Sequence, residues 1–253
     1  MQLVGLKKPP LHGIYHALWS AADWLYPPNC SGCGKFGQRW CPACQAQVQI
    51  IQDPVCPQCG NPQPKAELCP SCRHTPPPYA GLRSWAAYRE PVRHAIHQLK
   101  YAGDMGIAES FGNSLLSVLE KQNWNIECIV PVPLNPHRQM ERGYNQSMLL
   151  ALPLATALRL PLRPQALLRK RDTLSQTKLS AQERKQNLLG AFQAQAKYIR
   201  NQTVLLIDDV TTTGATLWAC AQALLEAGAK SVYGLTLARS LLQADSPEIA
   251  VAA

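Results

Sequence analysis

At 253 residues the chain has room for one sizeable α/β domain and a small module beside it. No run approaches the ~20 uninterrupted apolar residues that a spanning helix needs, which argues against a transmembrane protein. Charge is uneven, with six Lys/Arg against three Asp/Glu in residues 1–80, 17 against eight in 81–200, and two against five in 201–253. The basic middle segment suits an anionic partner, whether a phosphate-rich small molecule, a nucleic acid or both.

Residues 1–26 read as an amphipathic segment. Leu11 to Tyr26 is apolar and aromatic but is broken by His12, His16, Ser20 and Asp23. Lys7 and Lys8 imitate the start of a signal peptide, yet no clear small-residue cleavage site follows. A short helix docked on the rest of the protein fits better than shallow membrane contact.

Residues 27–75 hold four Cys-x-x-Cys pairs, Cys30/Cys33, Cys41/Cys44, Cys56/Cys59 and Cys69/Cys72. A two-residue gap lets a tight turn present two sulfurs to one tetrahedral ion, so eight thiolates describe two structural zinc sites. Disulfides or a redox pair are the alternatives, and the dense knuckles without a secretory signal favour zinc. Pro42, Pro57 and Pro70 stiffen three turns, and Gly34 and Gly60 stand where a knuckle often needs positive φ. Spacing allows sequential or cross-braced pairing. Lys35, Arg39, Trp40, Lys65 and Arg73 are candidates for nucleic-acid contact, against a purely structural or docking role.

Pro76–Pro78 reads as a stiff linker into an α/β domain over residues 80–240. The pattern predicts a strand at 83–88, helices at 91–100 and 105–122, a strand at 128–132, a helix at 146–159 and a strand at 162–168. Further strands at 203–207 and 231–238 flank a helix at 217–227, and residues 241–253 form a weakly patterned tail. Such alternation implies a mainly parallel sheet with helices on both faces. Cys128 and Cys220 read as core residues.

Three loops carry chemistry. After the apolar strand 204–207 come Asp208 and Asp209, then Thr211, Thr212, Thr213, Gly214, Ala215 and Thr216 at a helix start. Gly and Thr can turn N–H groups and hydroxyls onto one phosphate at the positive helix end, and adjacent carboxylates suit a vicinal diol. Together these describe a ribose 5-phosphate, where the plainer reading is a strand-turn-helix capped by acids. The loop Val132, Pro133, Leu134 and Asn135, with Arg138 and Arg142, leaves another parallel strand and could fork onto a pyrophosphate. A long basic segment from Arg169 through Lys178 to Asn187 resembles a lid, with a helix start at Ser180 and Glu183. Its Arg169 and Lys178 would stabilise charge on a departing pyrophosphate.

The stretch from Val204 to Thr216 resembles the phosphoribosyl-pyrophosphate (PRPP) signature of type I phosphoribosyltransferases. That likeness implies that Asp208 and Asp209 face the ribose hydroxyls and that Thr211 to Thr216 wrap the 5-phosphate of magnesium-bound PRPP. The ordered set of knuckles, Gln98-Leu99-Lys100-Tyr101, Pro131-Val132-Pro133, Arg142-Gly143-Tyr144-Asn145-Gln146, Ser175-Gln176-Thr177 and the acid–Thr loop resembles the ComF family. This resemblance adds Lys100 to the ligand site. It implies a type I phosphoribosyltransferase-like fold and a cytoplasmic role, with the inner membrane face as a second placement. It also implies that the protein handles incoming single-stranded DNA beside a helicase and channel proteins. Transfer of phosphoribose to an unidentified base or amine, and a PRPP-sensing adaptor role, stay open beside it. Residues 80–103 could form a hood for such an acceptor.

Overall fold

The structure, a computed structural model, describes residues 27–170, 188 and 190–241. The expected N-terminal amphipathic helix, most of the basic lid with Lys178, and most of the C-terminal tail lie outside these residues. Two short helices belong to the cysteine module, α1 (Pro42–Ala46) and α2 (Pro70–His74). The remainder is built from β1 (Gly81–Ala87), α3 (Val92–Tyr101), α4 (Ile107–Glu120), β2 (Cys128–Pro131), α5 (Pro136–Arg142) and α6 (Gln146–Leu158). It continues with β3 (Leu167–Arg169), β4 (Phe192–Ala194), α7 (Ala196–Ile199), β5 (Thr203–Thr211), α8 (Ala215–Glu226) and β6 (Ser231–Arg239).

Four strands form an all-parallel sheet in the order β1-β6-β5-β2. Its central strand explains why the sequence reads as a continuous apolar run, because both faces are covered. Val204 and Leu206 pack with Leu217, Cys220 and Leu224 of α8. Leu205 and Ile207 pack with Phe111 of α4 and Leu150 and Leu154 of α6. Each side chain of this kind contributes roughly 1.5–3 kcal/mol when fully buried. Cys128 and Cys220 are wholly buried, as a core role requires.

Both sheet edges are closed. Ile51 N–H donates to the Trp85 carbonyl (2.9 Å) and Ala87 N–H to that of Gln49 (2.9 Å), so the segment joining the two cysteine clusters lies along β1. At the other edge Ile129 bridges Leu162 in parallel. Covered edges remove a template for aggregation.

Three expectations need correction. Residues 162–168 do not form one strand of the main sheet. Pro161 and Pro164 lack N–H donors, so Leu162 makes a lone bridge and Pro164–Ala166 a 3-10 turn. The following β3 pairs antiparallel with β4 in a separate two-stranded arm. The loop after β2 contains a helix, α5, capped by Asn135 Oδ1 accepting from His137 N–H (2.8 Å) and closed by Gly143 at φ 77°. Part of the proposed hood, residues 81–87, is the edge strand β1 itself.

Candidate functional site

The parallel strands end together, and loops from β2, β5 and α3 meet over their C-terminal ends, where open α/β sheets bind ligands. There a cavity of 390 Å³ is lined by Lys100, Val132, Pro133, Leu134, Asn135, Arg138, Arg142, Arg169, Asp208, Asp209 and all of Thr211 to Thr216. Every candidate ligand residue named from the sequence that lies among the described residues thus borders one space; Lys178 is outside them. Tyr88, Tyr101, Gln146, Ser147, Val210 and Leu217 complete its wall.

Strand β5 runs four residues beyond the expected end and carries both acids within it. Ser147 Oγ donates to Asp208 Oδ1 (2.9 Å), as does the Asp209 N–H (2.9 Å), and Gln146 Nε2 donates to Asp209 Oδ1 (3.1 Å). Lys100 Nζ pairs with Asp209 Oδ2. Burial lowers the Lys100 pKa, but the Asp209 charge and hydrogen bond and the Asp208 charge outweigh it and hold the ammonium protonated. The start of α6 brings its polar pair to the acids because Asn145 caps it, its Oδ1 accepting from Ser147 N–H (2.9 Å). Asn145 Nδ2 also donates to the Val132 carbonyl (2.9 Å), tying that cap to the β2 loop.

The Thr loop enters α8 through Gly214 at φ 77°, a conformation that favours glycine. Thr211 Oγ1 is buried and has no hydrogen-bond partner among the described residues, an orphaned donor at the rim of a helix N-terminus. It fits an acceptor such as a phosphate oxygen. Arg142 Nη1 donates to Gln146 Oε1 (3.0 Å), and its guanidinium lies 4.8 Å from the Tyr101 ring centroid. The arginine therefore reaches the acids through Gln146 while its charged face borders the cavity. Arg169 sits over the Phe192 ring at 5.6 Å and borders the cavity.

Ser147 was missed from the sequence, although Asn145-Gln146-Ser147 is a polar run opening an otherwise apolar helix. Asp208 is pushed up to about 7, first by burial and then by the Asp209 charge beside it, against the Ser147 bond and Lys100. A raised carboxyl favours the fold fully below its unfolded value near 3.8 and loses that contribution as pH rises through about 7. Asp208→Asn is therefore expected to match the wild type near pH 4 and to melt at higher temperature at pH 8. The gain is no more than about 4 kcal/mol. Thermal unfolding followed by circular dichroism at the two pH values checks it.

The cysteines gather sequentially. Cys30, Cys33, Cys41 and Cys44 form one cluster and Cys56, Cys59, Cys69 and Cys72 the other, with the sulfurs of each lying within 4.8 Å of one another. Sulfurs stand 3.6 Å apart for Cys30–Cys44 and 3.7 Å for Cys33–Cys41 and Cys59–Cys69. A tetrahedral ion with ~2.3 Å bonds requires about 3.8 Å between sulfurs, whereas a disulfide requires about 2.05 Å. Each cluster suits a structural zinc ion. Gly34 and Gly60 have φ of 76° and 70°.

Two nucleic-acid candidates of the first cluster contact the α/β domain. Arg39 pairs with Asp104 (3.2 Å), and Trp40 packs edge-to-face on Phe111 with centroids 5.1 Å apart. Their side chains face the α/β domain because that burial and pairing anchor a module with no core of its own.

Fold and site together define a phosphoribosyltransferase-type α/β domain bearing two zinc-ribbon clusters. The double zinc ribbon domain model matches residues 21–73 and the phosphoribosyl transferase domain model residues 145–248. The chain is 38% identical over 193 residues to the DNA utilization protein YhgH of Escherichia coli K12, covering 74% of this chain and 85% of that protein. It is 32% identical to Competence protein F of Haemophilus influenzae, covering 79% of this chain and 90% of the other. Competence protein ComFC of Bacillus subtilis is likewise 32% identical, with 81% and 86% covered. The chain belongs to the ComF family of competence and DNA-utilisation proteins.

Proposed function

We propose that the cavity binds magnesium-bound PRPP or a related phosphorylated ribose, and that the protein handles single-stranded DNA during its uptake or utilisation. The observation that carries this reading is the shared cavity of Asp208 and Asp209 with Thr211 to Thr216 at the start of α8. Acids suited to a diol and a Thr/Gly loop suited to a phosphate stand side by side there. The acids would orient the ribose hydroxyls, directly or through the magnesium ion that would neutralise phosphate charge. Arg138 and Arg142 would receive the pyrophosphate, and Lys100 would keep its hold on Asp209 or turn to that group. The names of the relatives, a DNA utilization protein and a competence protein, support the DNA role. Among the described residues no helix is long and apolar enough to cross a membrane. We place the protein in the cytoplasm, working with the helicase and channel components of uptake.

The basic segment that starts at Arg169, on the cavity wall, would also meet a nucleic-acid backbone. Single strands are expected to bind with little sequence preference and to weaken steeply with salt. Replacing Arg169, Lys170 and Arg171 by Gln should reduce the salt slope by about two units, since each single-strand phosphate contact contributes about 0.7. Fluorescence anisotropy across a salt series measures this, and PRPP added to the complex shows whether both ligands share a surface. A wild type that ignores single strands at low salt would move the DNA role to a partner protein. Pyrophosphate release on adding a base or amine would identify a transferase.

A further inference from the structure

We infer that the second cysteine cluster is a working part of the phosphate pocket, with Tyr79 and Arg239 as positioning residues that tie the Cys56–Cys59 knuckle to the loop Thr211–Thr216. The metal on this cluster and the ligand in the cavity then hold each other in place. The inference rests on the reading of the cavity as a phosphorylated-ribose site.

The knuckle is fused to β1. Gln58 carbonyl accepts from Leu82 N–H (2.7 Å) and the Pro57 carbonyl from Arg83 Nη1 (3.0 Å). Gly60, at φ 70°, lies so close to Leu82 that a side chain would run into its carbonyl oxygen.

From this anchor two separate routes lead to the cavity. Along the first, Gln58 Nε2 donates to the Pro77 carbonyl (3.0 Å) and to that of Tyr79 (3.4 Å). Tyr79 is buried at 5% exposure, and its hydroxyl lies 3.4 Å from where a side chain on Gly214 would begin. The tyrosine thus braces the one residue of the phosphate loop that adopts a left-handed backbone. Along the second, the Arg239 guanidinium donates to the Cys59 carbonyl. Arg239 is paired in register with Thr211, and its own carbonyl accepts from Tyr88 N–H (2.7 Å). Ser240 N–H donates to the Thr211 carbonyl (2.9 Å). Thr211 and Tyr88 both line the cavity.

Among the described residues the first cluster shows no such chain of bonds to the loop Thr211–Thr216. It docks through Ser31 and Arg39 on Asp104 and through Trp40 on Phe111, none of which lines the cavity. A knuckle held in shape by its metal keeps Gln58 and the Cys59 carbonyl where these bonds need them. Linkage is reciprocal, so a ligand that orders the loop must tighten the second cluster's hold on its ion.

The test uses the full zinc-loaded chain with a chelator present, pulsed with N-ethylmaleimide and mapped by peptide mass, with and without magnesium–PRPP. Cys56, Cys59, Cys69 and Cys72 are expected to become reactive at least about five-fold more slowly with the ligand, and Cys30 to Cys44 to change less than about two-fold. In Gln58→Ala/Arg239→Gln, with both ions and PRPP still bound, that protection should fall below about two-fold. Equal protection of the two clusters would overturn the inference, and this comparison needs no variant. So would full protection in the double variant. Calorimetric binding of PRPP without any protection overturns the coupling and leaves the ribose reading standing, whereas absence of binding overturns both.

Discussion

Stripping both zinc ions from the protein is expected to lower its melting temperature by about 5–15 °C while the parallel sheet stays folded. Elemental analysis of the untreated chain should find two ions, one for each set of four sulfurs. The ribbon segments have little core of their own, so binding energy on the order of 10 kcal/mol or more per ion is folding energy for them. Their loss removes Trp40 from Phe111 and Arg39 from Asp104, and it frees the strip at Gln49 and Ile51 that closes the β1 edge. A loss of a few kcal/mol from the remaining domain corresponds to the stated shift at roughly 2–4 °C per kcal/mol. Cys30→Ser should lose one ion only, because the two clusters share no ligand. Differential scanning calorimetry with metal analysis reads both effects. Disulfides in place of metal would contradict them.

The double variant Asp208→Asn/Asp209→Asn is expected to remove the response to magnesium–PRPP. A ligand present at about 100 times its Kd stabilises the folded state by about 2.7 kcal/mol, or roughly 5–10 °C here. The variant should shift by less than about 2 °C. Asparagine keeps the size of each side chain and an oxygen for the Ser147 and Gln146 bonds. It removes the charge that a polyol with magnesium needs and leaves the half-buried Lys100 without its counter-ion. A modest fall in basal stability at Lys100 accompanies the gain at position 208, so the ligand response is the informative quantity. Thermal shift with and without ligand measures it, and natural transformation with the same variant carries the effect into the cell.

Much of the site is legible in sequence because its signals are local. Two acids after four apolar residues, followed by a Thr/Gly loop, fix a strand end, a nest and a helix start within 13 positions. Knuckle spacing works in the same way, although only the structure separates sequential from cross-braced pairing. Helix α5 was also written locally, in Asn135-Pro136 at its start and Gly143 at its end, yet it buries no residue and so shows no apolar period. The run 162–168 misleads because apolar content suggests a strand while Pro164 within it and Pro161 just before it deny it ladder donors. What the sequence could not show is long-range. Ser147 meets Asp208 across 61 positions and Arg239 meets the Cys59 carbonyl across 180. Trp40, exposed in any local reading of its ribbon, finds Phe111 through the fold.

The most direct measurement of the central claim is isothermal titration of magnesium–PRPP into the zinc-loaded wild type and into Asp208→Asn/Asp209→Asn. The cavity predicts saturable binding of one ligand per chain to the wild type, with Kd below about 1 mM, and no measurable binding to the variant. Equal binding by the two proteins, or none by the wild type at millimolar ligand, would contradict it.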